Sequence, residues 1–340
     1  MKRLSVLSMA VVWAWSCPLS AQEMPEPRYE GKPVGYWMEK FQKAETDEER
    51  DENAQALIAF GPDCEPVVAE LVRMLDDRSY TYRERVKGIL VACGPGAKSQ
   101  VPTLVRWLKD GTAHDEGMVI EVLGAVGPDA KEAIPELLKA FQTGPYAPTP
   151  CQALLKVGAS AEVVLPAVRE MIQSRKKSFL IYYPGEREIL AAVAEHYGEP
   201  AISMLRELLD GEHPVACCAT ASALEGLGET AEPAIPDLRG LLTHTDPDVR
   251  FATARALWRL KGDTVVVPVL AKLLEENELV EPCCKLLGEI GSGAKAALPA
   301  LIKHAERASP SWSYDAQRAI DRIQGPPMPP VSPIIGIPPQ

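Results

Sequence analysis

Eight cysteines, five histidines and one cluster of basic and aromatic residues are where this chain could do chemistry. Cys217-Cys218 and Cys283-Cys284 look at first like a paired metal motif. Adjacent residues on a helix point about 100° apart, and helices stacked at 8–10 Å would leave the two pairs roughly 20 Å from each other. Buried small apolar side chains are the expected role of all four. Cys64 and Cys93 differ, because one precedes a helix and the other closes the next, so both fall at one end of a hairpin. Two readings stay open there: a disulfide, as an oxidising compartment would favour, or a pair of reduced thiols.

His114, His196, His213, His244 and His304 are spread along the chain. His213 and His244 occupy equivalent turns, but neighbouring helices sit too far apart for shared metal ligation without other help. Solvated turn histidines are expected, and no metal or cofactor is. The basic and aromatic residues Arg175, Lys176, Lys177, Phe179, Tyr182 and Tyr183 form a candidate contact loop, since Arg and aromatic anchors dominate many interfaces. The alternative is that the tyrosines pack on their neighbours while the lysines are solvated. There is no Gly-rich phosphate loop of Walker type, no Gly-x-Ser-x-Gly elbow and no Cys-x-x-Cys-His haem site. No catalytic machinery is expected.

The elements that must hold these residues are set by a repeat. ALIAFGPDCEPVVAELVRML from Ala56, ILVACGPGAKSQVPTLVRWL from Ile89 and VLGAVGPDAKEAIPELLKAF from Val122 are plainly copies. ALLKVGASAEVVLPAVREMI from Ala153, ALEGLGETAEPAIPDLRGLL from Ala223 and LLGEIGSGAKAALPALIKHA from Leu286 continue the series, with looser copies around Gly198 and Gly262. The marker glycines Gly61, Gly94, Gly127, Gly158, Gly198, Gly228, Gly262, Gly291 and Gly325 are spaced by 33, 33, 31, 40, 30, 34, 29 and 34 residues. The long interval is the one that carries the basic and aromatic cluster.

Val249, Ala252, Ala256, Leu257 and Leu260 recur at helical spacing. Glycine then ends the helix, because a positive φ costs it almost nothing. Eight residues later Pro102, Pro135, Pro166, Pro236 and Pro299 are each expected in the first turn of the next helix, where a missing N–H leaves nothing unpaired. Each unit is therefore a helical hairpin of about 30 residues, too small to bury enough apolar surface alone. The expected fold is all-α: an α-solenoid of about eight stacked hairpins.

The copy that begins Asp246-Pro247-Asp248-Val249-Arg250 and continues through Ala254, Ala256, Leu257, Gly262, Pro268 and Leu270 resembles a HEAT repeat. It is similar to the short HEAT-like type named after phycobilisome lyases. The run Gly31-Lys32-Pro33-Val34-Gly35-Tyr36-Trp37 resembles the entry segment of secreted bacterial HEAT-repeat proteins. The Asp and Arg of the motif are clear only at 246–250; the turns at 80–83 and 213–217 depart from it. The resemblance covers residues 33–324 and implies fold, not activity. Deoxyhypusine hydroxylase, a HEAT-like enzyme, holds iron with His-Glu pairs, and this chain contains no His-Glu dipeptide.

Four segments are expected. Residues 1–21 read as a signal peptide, with Lys2 and Arg3 before the apolar run at 4–15 and cleavage after Ala21. That run is too short to span a bilayer, and Ala14 and Trp15 are poor residues for a lipid anchor at Cys17. Residues 22–32 form an extended N-terminal segment, 33–324 the solenoid and 325–340 a tail rich in proline. The formal net charge of −11 argues against nucleic acid as a partner. The sum is an exported, periplasmic or secreted scaffold that binds a protein without catalysing a reaction. A chromophore lyase or chaperone, or a passive structural element of the envelope, are the alternatives.

Overall fold

The computed structural model describes residues 26–76, 79–113, 115–144, 147–174, 184–307 and 310–325. The stretch expected to be a signal peptide, 1–21, with Cys17, and the tail from 326 onward lie outside the described residues. A two-residue antiparallel pair, β1 (Arg28–Tyr29) with β2 (Lys32–Pro33), turns through Glu30 and Gly31, both at positive φ. Among the described residues, every regular element after it is helical.

After α1 (Val34–Lys43) the helices come in pairs. They are α2 (Asp47–Ile58) with α3 (Val68–Met74), α4 (Tyr80–Cys93) with α5 (Val101–Asp110), and α6 (Glu116–Val126) with α7 (Ile134–Thr143). Next are α8 (Pro148–Lys156) with α9 (Ala161–Ser174), and α10 (Pro184–Tyr197) with α11 (Glu199–Glu207). The last are α12 (Pro214–Gly226) with α13 (Ile235–Leu241), α14 (Pro247–Lys261) with α15 (Val267–Glu275), and α16 (Val280–Ile290) with α17 (Leu298–Arg307), before α18 (Pro310–Gln324). The eight hairpins stack in order as an α-solenoid, with α1 against the first and α18 against the last. Terminal helices of this kind cover apolar faces that no further repeat would bury.

The two layers differ in chemistry. The first helices touch the layer below and both flanking first helices, so they are apolar on most sides. In α6, Met118, Val119, Ile120, Val122, Leu123 and Val126 are all buried. The second helices are amphipathic: α5 buries Val101, Leu104 and Leu108 and turns Pro102, Arg106, Lys109 and Asp110 to solvent. Among the described residues no helix is long and apolar enough to cross a membrane.

The glycines between 61 and 291 that mark the repeats all lie at positive φ, from 48° at Gly94 to 76° at Gly158. Gly262 is the simple case, a left-handed cap whose N–H donates to the Trp258 carbonyl at 2.8 Å. Gly94 and Gly127 combine positive φ with ψ of −121° and −142°, a region open essentially to glycine alone. There the chain leaves the helix directly into a seven-residue 3-10 segment, and the next α-helix follows.

Pro102, Pro135, Pro236 and Pro299 stand at the second position of α5, α7, α13 and α17 as the spacing predicts. Pro166 does not: it lies inside α9, which starts early, at Ala161. The Ser160 carbonyl accepts from both Val163 and Val164 N–H at 3.1 Å, so the helix nucleates beside Gly158 without an intervening 3-10 segment.

Candidate functional site

Arg175, Lys176, Lys177, Phe179, Tyr182 and Tyr183 all lie outside the described residues, between α9 and α10. The described surface must therefore be read on its own. Its main polar feature is a series of ion pairs between successive repeats. On the second-helix side Arg169 pairs with Glu207, Arg206 with Asp237 at 2.6 Å, and Arg239 with Asp263 at 2.6 Å. On the first-helix side Arg85 holds Asp51 at 2.5 Å, Arg255 holds Glu225 at 2.9 Å, and Arg259 holds Glu289 at 2.6 Å. The Arg85 guanidinium keeps the Asp51 carboxyl below its ordinary pKa, and Arg239 does the same for Asp263.

The Asp246 copy shows how one motif supplies both a cap and a cross-link. Asp246 accepts from the Asp248 N–H at 2.9 Å and so caps α14. Arg250 donates to the carbonyls of His244 and Thr245, each at 3.0 Å, and pairs with Glu276 of the same hairpin. His244 departs from the expected solvated turn histidine. Its Nε2 lies 2.8 Å from the Gly211 carbonyl of the preceding repeat, while its Nδ1 accepts from the Asp246 N–H at 2.9 Å. Both nitrogens are thereby committed to joining two repeats.

Asp210, Glu212 and His213 bring one ligand atom each within 4.8 Å of one another. They come from a single turn whose carboxylates face solvent, and the Glu212 N–H already donates to Asp210 at 2.8 Å. His196 is exposed and meets Tyr197 edge-on at 4.7 Å, and His304 is buried on α17. His114 lies outside the described residues.

Six of the seven described cysteines are buried. Burial pushes the Cys151 thiol up to about 12, Cys217 to about 11 and Cys284 to about 12, and drives Cys283 up as well. Such thiols are protonated at neutral pH, a form that is neither nucleophile nor metal ligand. Cys218, next to Cys217, is only half-buried. Cys64 and Cys93 are both fully buried, and the structure brings them together: their thiols hydrogen-bond each other. Cys64 Sγ also lies 3.1 Å from the Leu57 carbonyl, to which it donates.

Two concavities lined by described residues are respectively small and open. A cleft of about 160 Å³ between α4, α6 and α8 has Gly124 and Ala153 in its floor and Glu121, Gln152 and Lys156 at its rim. Small-molecule sites usually enclose about 300–1,000 Å³, and this cleft is smaller. A broader dip of about 440 Å³, beside Gln42, Glu70, Arg73, Met74 and Asp76, is open to solvent.

Residues 202–281, from α11 into the start of α16, match the HEAT repeats family. The matched stretch contains the Asp246 copy, and with the stacked hairpins it supports a HEAT-repeat protein. A comparison with curated proteins finds no match.

Proposed function

We propose that this protein is a non-enzymatic, exported scaffold that binds another protein. The observation that carries the reading is the HEAT-type solenoid itself, whose amphipathic second helices present polar faces over eight successive hairpins. Such surfaces bind extended partners through shape and distributed polar contacts. The buried, protonated thiols and the paired carboxylates favour structural over chemical duty for the residues most capable of catalysis. The apolar run at 4–15 supports export, and the loop residues Tyr182 and Tyr183 are the proposed anchor for the partner.

The test is affinity capture with the full chain from an envelope fraction, followed by reconstitution of the complex from purified components. A complex of fixed stoichiometry that weakens at least tenfold on replacing Tyr182 and Tyr183 by Ala supports the scaffold and its anchor. Unaltered affinity removes the anchor. A coloured ligand retained by the purified protein would instead favour the lyase or chaperone reading.

A further inference from the structure

The connection after α2 is a 3-10 segment, Gly61–Val67, that carries Cys64 into the core beside the end of α4, where Cys93 is the last helical residue. Gly61, at a φ of 53°, sets the start of this segment against the C-terminal turn of α4; a Cβ there would stand 3.9 Å from the Ala92 carbonyl. Pro62, the next residue, lies against Gly96 just beyond α4, so the start of the segment is seated on the end of α4 and on the connection that follows it. Within this seat the two thiols are in hydrogen-bond contact and fully shielded from solvent.

We propose that Cys64 and Cys93 form an intrachain disulfide when the chain folds in the presence of a disulfide oxidant such as glutathione disulfide. The bond needs the sulfurs about 2.05 Å apart, and between these two hydrogen-bonded thiols it would tie the first two hairpins together. The hydrogen bond from Cys93 lowers the pKa of Cys64, whereas the Cys64 contact and burial raise that of Cys93. In the open chain, where this contact is absent, either thiolate can attack first, and the course is the same with the two residues exchanged.

The Cys64 sulfur attacks one sulfur of glutathione disulfide, and the first glutathione leaves as a thiolate that takes up a proton. The Cys93 sulfur, losing its own proton, then attacks Cys64 in the mixed disulfide and expels the second glutathione. The protein loses two electrons and two protons, and one glutathione disulfide becomes two glutathiones. Because both sulfurs are buried once the hairpins close, exchange takes place while this part of the chain is open. The finished bond is then sheltered from reductant. The inference does not depend on the scaffold reading, and failure of either leaves the other standing.

The full chain, reduced and unfolded, is refolded in a mixture of oxidised and reduced glutathione, alkylated under denaturing conditions and mapped by peptide mass. The expected result is a cross-linked peptide joining positions 64 and 93, with both residues protected from alkylation until reductant is added. In Cys64→Ser, Cys93 should be alkylated in full, and in Cys93→Ser the same should hold for Cys64. Alkylation of both residues in the refolded wild type overturns the proposal. So does pairing of either with a different cysteine. Because the mapping is made on the wild type, a serine variant that fails to fold does not block the test.

Discussion

The connection after α4 and the connection after α8 start from the same marker and end differently. After α4, Gly94 opens a seven-residue 3-10 segment, Gly96 packs on the backbone of the preceding connection, and Pro102 enters α5 at its second position. After α8, Gly158 is followed almost at once by α9, fourteen residues long, with Pro166 inside it. The connection after α10 is similarly direct, with α11 beginning at Glu199 beside Gly198. These two short connections flank the long interval in the repeat. Where a connection has the extra segment, it stacks on its neighbour and adds contacts between repeats. Where it lacks one, the second helix begins sooner.

The comparison can be broken most sharply at the glycines. A Cβ at Gly96 would stand 2.2 Å from the Pro62 carbonyl oxygen, a backbone atom that cannot swing away. Gly96→Ala should cost about 3 kcal/mol or more of stability in chemical denaturation, at the upper end for overpacking. Gly158→Ala meets only the end of the Lys131 side chain at 3.8 Å and should cost about 1–2 kcal/mol, from its positive φ alone. Equal losses at the two sites would mean that stacking of connections contributes nothing.

Proline replacement sharpens the same contrast with a difference in sign. Pro166→Ala restores a hydrogen-bonding N–H inside α9 and should stabilise by about 1 kcal/mol. Pro102→Ala frees the unfolded chain and should destabilise by about 0.5 kcal/mol. Thermal midpoints moving in the same direction for both would contradict the different helix starts.

An acid titration probes the join between α13 and the turn after α14. Asp263 is held below its ordinary pKa by Arg239 and by the Val265 N–H, so its contribution is present above the unfolded carboxylate pKa of about 4. That contribution is lost as pH falls through the lowered folded value. Asp263→Asn should therefore be less stable than wild type at pH 7 and converge on it in acid; a constant gap across the titration would refute the assignment. The smallest effect belongs to Arg206→Ala, which removes an exposed pair with Asp237 and should leave the denaturation midpoint nearly unchanged.

Much of this was legible because the signals are local. A glycine that must take positive φ and a proline confined to a first helical turn recur at fixed offsets, and that suffices to place the hairpins. Pro166 misled because the same offset serves two geometries. The difference lies in Ser160, whose carbonyl starts α9 early. His244 read as a solvated turn residue, since nothing in its own repeat reveals that the Gly211 carbonyl waits in the one before. The turns at 80–83 and 213–217 lack the Asp and Arg of the HEAT motif, yet ion pairs still link successive repeats through other residues, such as Arg85 with Asp51.

The sequence by itself determined the helical hairpin, its period and the number of copies, because backbone conformation and amphipathic spacing are properties of residues close together in the chain. Only the tertiary structure decided that Cys64 meets Cys93, that His244 bridges two repeats and that Gly96 must have no side chain. Each of those depends on how one copy is seated on the next, a relation between surfaces distant in sequence that no period within a single copy encodes.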